Sequence, residues 1–176
     1  MKKKFSPKGL SARTLGAVGI QIAIMLAVVV PPLFVRATGT ITYLETAPID
    51  PRDPFRGDYV ALGYRLGEGI LPPDMQEETQ RSGKPIHVTL TTGRPGRLVA
   101  FGLEKPILQP GQVCLVGRAR RMWNGGAGTV DFPQIAQFFV PEGKGRELEE
   151  ARGEHLLAKV VVSKHCNAVL LSLEEK

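Results

Sequence analysis

The sequence is poor in the residues that usually announce a chemistry. It has two cysteines, three histidines and one tryptophan in 176 residues, too few cysteines for a disulfide framework. No pair of these ligand types stands at the C-x-x-C or H-x-x-x-H spacing of a zinc site, so no metal and no cofactor is expected. There is no G-x-S-x-G elbow, no Walker-type phosphate loop and no serine directly behind the N-terminal apolar run to form a Ser–Lys pair. Repeats and heptads are missing as well, which removes solenoids and coiled coils. Aromatic residues make up 6%, whereas glycine (20) and proline (14) are plentiful, a composition that points to many short strands broken by turns. Acid is absent from residues 1–14, which hold Lys2, Lys3, Lys4, Lys8 and Arg13. That tail accounts for nearly all of the net charge of +6, and the remainder sums to +1. The folded part therefore offers no broad basic surface, and nucleic acid is not an expected partner.

What is present begins with Leu15–Val35, 21 residues without a charge. As a helix this run is about 31 Å long, matching a hydrocarbon core of about 30 Å. Gln21 is its only strongly polar side chain, and Pro31-Pro32 is expected to kink the last turn or end the helix. Basic residues precede the run and only Arg36 follows closely, so the positive-inside rule keeps the N-terminus in the cytoplasm and sends the rest across. The expected organisation is a basic cytoplasmic tail (1–14), a transmembrane helix or uncleaved signal anchor (15–35) and an extracytoplasmic β-rich domain (36–176), with the lipid bilayer as first partner. The rival is a cleaved signal peptide, since Val35-Arg36-Ala37 has the form of a V-x-A cleavage site. Tyr43, close behind the run, is a candidate interfacial anchor.

In the outer domain, β-branched and alternating patterns predict eight strands: Thr38–Glu45, Gly57–Leu66, Ile86–Thr92, Arg97–Leu103, Gln112–Arg121, Gln134–Val140, His155–Ser163 and Asn167–Leu173. One short soluble helix is expected at Gly145–Arg152, with at most a helical turn at Pro72–Gln80. The fold class is mainly β, a small barrel or sandwich. In the second strand Val60, Leu62, Tyr64 and Leu66 alternate with Tyr59, Ala61, Gly63 and Arg65, so the two tyrosines are expected on opposite faces.

Gly57-Asp58-Tyr59, followed by Leu62 and Tyr64, resembles the signature of the GDYXXLXY family of membrane-anchored bacterial proteins. Upstream, Ala47-Pro48-Ile49-Asp50-Pro51-Arg52-Asp53 is similar to that family's Pro-x-Asp-Pro-Arg approach to the strand. Downstream, Phe138-Phe139-Val140-Pro141-Glu142-Gly143-Lys144-Gly145-Arg146-Glu147-Leu148-Glu149 resembles its second block, an aromatic strand feeding a Gly-rich loop and an acidic helix. The resemblance implies a membrane anchor, a β-rich outer domain and a multi-pass membrane protein as partner. It carries over no catalytic residue.

Several local patterns have plainer readings. Asp50, Asp53 and Asp58 could offer oxygen ligands to a cation, but Arg52 and Arg56 are interleaved and the spacing is not that of an EF-hand. Thr89-Leu90-Thr91-Thr92-Gly93 looks like a sortase strand with glycine where the nucleophilic cysteine is needed. Arg118, Arg120 and Arg121 beside Trp123 could grip a phosphate, or could form a wet strand face. Cys114 reads first as a plain core thiol, with a disulfide to Cys166, closing a loop of about 50 residues, as the alternative on an oxidising side. The expected function is a non-enzymatic accessory domain, with Asp50, Asp53, Arg56, Glu142, Lys144 and Arg146 as its candidate interaction surface. The alternatives are a ligand-binding or sensing domain marked by Arg118 or Trp123, and a hydrolase using Asp53, Asp58 or Glu142.

Overall fold

The computed structural model describes residues 12–47, 59–68, 71–120, 128–139 and 156–175. The uncharged run forms α1 (Ala12–Thr38), 27 residues long and therefore about 40 Å. Pro31 and Pro32 lie inside it. The helix continues through them to Thr38 instead of stopping at Val30, although two N–H donors are withheld from the preceding turn. Gly39 N–H donates to Val35 O at 2.8 Å and the Thr38 hydroxyl to Phe34 O at 2.8 Å. The chain then enters β1 (Thr40–Ala47) with Gly39 alone between helix and strand. A Cβ at Gly39 would collide with the Val161 side chain and approach Val35 O to 2.7 Å and Val162 O to 2.9 Å, so the junction admits only glycine without rearrangement.

The remaining elements are β2 (Tyr59–Ala61), β3 (Gly63–Tyr64), a 3₁₀ turn (Arg65–Gly67), α2 (Pro73–Ser82), β4 (Ile86–Thr91), β5 (Leu98–Gly102), β6 (Gln112–Arg120), β7 (Thr129–Asp131), β8 (Gln137–Phe139), β9 (Leu156–Val162) and β10 (Ala168–Glu175). Two four-stranded antiparallel sheets, β10-β9-β1-β3 and β5-β4-β6-β7, accompany the ribbon β2-β8. Among the described residues no ladder closes either sheet into a barrel, and two sheets sharing one core are compatible with a sandwich.

Alternation fills the space between the sheets. Leu44 comes from β1, Ala158, Val160 and Val162 from β9, Ile86, Val88 and Leu90 from β4, and Val113 and Leu115 from β6. β9 is buried along nearly its whole length, and only Lys159 is partly exposed, as suits an inner strand flanked on both sides. The loop 92–97 joins the sheets at one corner, where Tyr43 N–H donates to Gly93 O at 3.1 Å and Gly96 N–H to Tyr43 O at 2.8 Å.

Where ten strands replace the expected eight, two local events are responsible. The predicted strand Gly57–Leu66 divides at Leu62, because its first half pairs with β8 and its second with β1. The extra strand β7 is three residues long and stands behind a glycine-rich stretch, too short for a pattern. The predicted helix Gly145–Arg152 lies outside the described residues. A helix does form at α2, where proline at its first position presets the backbone and Gly83, at φ 67°, closes it with an N–H to Thr79 O bond of 2.8 Å.

Cys114 and Cys166 form a disulfide across 52 residues, which settles the alternative left open by the sequence. Cys166 closes the β9–β10 turn with φ 63°, and its N–H donates to Ser163 O at 3.0 Å. That is the left-handed position at which a hairpin bulge ordinarily places glycine.

Candidate functional site: the motif strands and the clefts beside them

Tyr59 pairs with Phe139, Val60 with Phe138 and Ala61 with Gln137. Leu62 N–H then donates to Ala136 O at 2.8 Å. One residue further on, the strand changes sides, with Gly63 opposite Ala47 and Tyr64 opposite Thr46. The motif strand is therefore a clasp that holds the segment 135–139 with its first half and β1 with its second. Its two sequence blocks, more than seventy residues apart between Leu62 and Phe138, are hydrogen-bonded neighbours.

Leu62 and Tyr64 are buried, while Ala61 and Gly63 are half-buried and Arg65 is exposed, so the alternation read from the sequence holds here. Tyr64 donates its hydroxyl to Ile135 O at 2.6 Å. Its ring meets Phe132 edge to face, with centroids 6.0 Å apart and an interplanar angle of 81°. Ile135 is fully buried and caps a turn through its N–H to Phe132 O at 3.1 Å. Burial pushes the Tyr64 phenol far above the usual tyrosine value. Tyr64 is thus a neutral structural donor at physiological pH. The sequence placed Ile135 inside a strand, and no local signal marks it as the acceptor.

Two clefts flank the segment, and Pro133 lines both. One, of about 440 Å³, runs along Ala61, Gly63 and Tyr64 and has Glu68, Arg120 and Asp131 at its polar side. Arg120 pairs with Asp131 at 3.8 Å, the diagonal neighbour across the β6–β7 ladder. The other, of about 520 Å³, lies between the end of α2 and β6 and is lined by Lys84, Arg118, Gln80 and Gln134 with no acid.

A sequence model of the GDYXXLXY protein family matches residues 21–173. The chain belongs to the GDYXXLXY family. No curated protein and no solved structure gives a match.

In this GDYXXLXY protein the motif residues divide. Leu62 and Tyr64 are placed as above, and Tyr59 is placed by its backbone pairing. Gly57 and Asp58 lie outside the described residues, as do Asp50, Asp53, Arg56, Glu142, Lys144, Arg146, Arg121 and Trp123. The register sets Tyr59, the first residue of β2, directly opposite Phe139, the last residue of β8. Among the described residues no group of three or more His, Cys, Asp or Glu side chains could hold a metal ion.

A further polar cluster was not foreseen. The Tyr43 ring has the Arg94 guanidinium at 4.8 Å and the Lys159 ammonium at 5.8 Å from its centroid. Glu174 accepts from both cations, at 3.0 Å from Arg94 and 3.3 Å from Lys159. Its carboxyl feels partial desolvation, which raises it, but the bond and charge of Lys159 with the charge of Arg94 prevail and hold it below the usual carboxylate range. The hydrogen bond and charge of Glu174 hold the Lys159 ammonium above its usual value. Tyr43, expected as a lipid anchor, is engaged by cations on the outer face of its own sheet.

Proposed function

We propose that this GDYXXLXY protein is a non-enzymatic accessory domain, anchored by α1 as an uncleaved single span and presenting its sandwich on the extracytoplasmic side to a multi-pass membrane protein. The observation that carries the reading is the bare helix. Ile20, Val28 and Phe34 are 65%, 69% and 63% exposed, and Val35, the helix's buried residue, is covered by the sandwich. An apolar surface of that extent calls for lipid or another helix. Cleavage after Ala37 would detach the turn that carries Val35.

Two independent features support the side. The basic tail precedes the span, and a disulfide persists in oxidising compartments. The partner surface is assigned to the segments around Asp50, Asp53 and Arg56 and around Glu142, Lys144 and Arg146, which in sequence adjoin the paired ends of the motif ribbon at Tyr59 and Phe139. The test is photo-crosslinking in intact membranes from a photoreactive residue at Lys144 or at Ser82. A single multi-pass protein captured from Lys144 and not from Ser82, and retained on purification in mild detergent, is the expected result. Equal capture from both sites, or none from either in an anchored and oxidised protein, would refute it.

The cleft lined by Lys84 and Arg118 favours a second reading, a sensor of an anionic small molecule. The carbonyl end of α2 at the same cleft weakens the attraction.

A further inference from the structure

The β9–β10 turn is better built than a connection needs to be. Ser163 N–H donates to Asn167 O at 2.8 Å, and the Ser163 hydroxyl accepts from the N–H groups of His165 and Asn167, each at 3.2 Å. Ala168 N–H donates to the Gln134 side chain at 2.6 Å, and Cys166 is bonded to β6. On this fixed frame Lys164 and His165 stand exposed.

The direction of the turn follows from the register. Thr40, the first residue of β1, pairs with Val162, the last of β9. β9 runs toward α1, so the turn projects about 7 Å past Thr40 on the helix side, at about 3.3 Å per residue. The end of α1 packs on β9 and β10, and Gly39 leaves no linker to hold the sheet away. Arg36, exposed in the last turn of α1, marks where the apolar run ends. Arg36 and Lys164 therefore both lie on the α1 side of Thr40, and residues 163–168 contain no acid.

We infer that the β9–β10 turn is a membrane-contact element: Lys164, with Arg36, engages the phosphates of anionic phospholipid headgroups in the leaflet from which the sandwich emerges. This rests on α1 being a membrane span. The disulfide and the bonds of Ser163 pre-order the backbone, so binding the surface costs little further ordering of the chain. A cation close to an anionic surface favours binding about five-fold.

The test uses the full chain in nanodiscs of phosphatidylglycerol mixed with phosphatidylcholine, with a photoreactive residue at Leu26, His165 or Ser82. Lipid adducts are expected at Leu26 and His165 and not at Ser82, which lies toward the far end of the sandwich beyond the start of β4. At His165 the adducts should be enriched in phosphatidylglycerol, and Arg36→Gln with Lys164→Gln should abolish that enrichment while the disulfide stays intact on a non-reducing gel. Adducts at Leu26 without adducts at His165 would overturn the inference and leave the anchor standing. Adducts at His165 that show no preference for phosphatidylglycerol would overturn the role of the two cations. No adduct at Leu26 would overturn the anchor and this inference together.

Discussion

Cys166 is an L-residue with φ 63° whose side chain is also one end of a 52-residue cross-link, and the two roles pull stability in opposite directions. Closing a loop of that length removes about 4 kcal/mol of unfolded-state entropy. Holding a non-glycine residue in the left-handed region costs about 1–2 kcal/mol. Replacement by alanine loses the first and keeps the second. Replacement by glycine loses the first and relieves the second, at the expense of about 0.4–1 kcal/mol of added unfolded-state entropy. Cys166→Gly should therefore be more stable than Cys166→Ala by about 0.5–1 kcal/mol, with both well below the oxidised parent. Urea unfolding of the full chain in detergent, followed by near-ultraviolet circular dichroism, measures the order, because both variants leave the same free thiol at Cys114. If alanine equals or exceeds glycine, the turn is not strained at this position. If reduction of the parent costs less than about 1 kcal/mol, the cross-link does not constrain the unfolded chain as the loop argument requires.

Two further outcomes follow from the same structure. Tyr64→Phe keeps the ring against Phe132 but strips the buried Ile135 carbonyl of its donor, so it should cost about 1–2 kcal/mol in the same urea assay. The phenol's folded value is raised, so its contribution is full below pH 10 and is lost as pH rises above that. The parent should accordingly lose stability above pH 10 more steeply than Tyr64→Phe. Glu174 has the opposite sign, since its folded value is lowered. Its contribution is present above the ordinary carboxylate range and is lost as pH falls below about 4.5, so Glu174→Gln should flatten the acid limb of the stability profile. An unchanged acid limb would mean that the Arg94–Lys159–Tyr43 cluster is held by stacking and not by charge.

What was legible in the sequence and what was not have separate physical causes. The apolar run was legible because a charge-free stretch of 21 residues leaves little alternative. β1, β4 and β6 were legible because β-branched residues recur over six to nine positions, and β9 and β10 because each is a short apolar run bounded by turn residues. The split at Leu62 was hidden because a change of pairing partner is a tertiary event that leaves the alternation on either side intact. α2 was read as a single turn because the side chains it buries, Gln76 and Thr79, are polar and make no apolar stripe. The disulfide was legible only as an option, since two thiols so far apart in sequence say nothing about their distance in space.

The geometry of the motif bears on where function can sit. A tyrosine that is to transfer protons or attack a substrate needs an exposed hydroxyl with a lowered pKa. Tyr64 has the reverse: its hydroxyl is bound to a backbone carbonyl and its pKa is driven upward by burial. Leu62 contributes packing and one main-chain bond. Leu62 and Tyr64 are therefore occupied with construction, and the strand they stand on joins two distant stretches of chain. The ribbon begins where Tyr59 pairs with Phe139. At the other boundary of the domain Gly39, by removing any linker, fixes the sandwich against the end of α1.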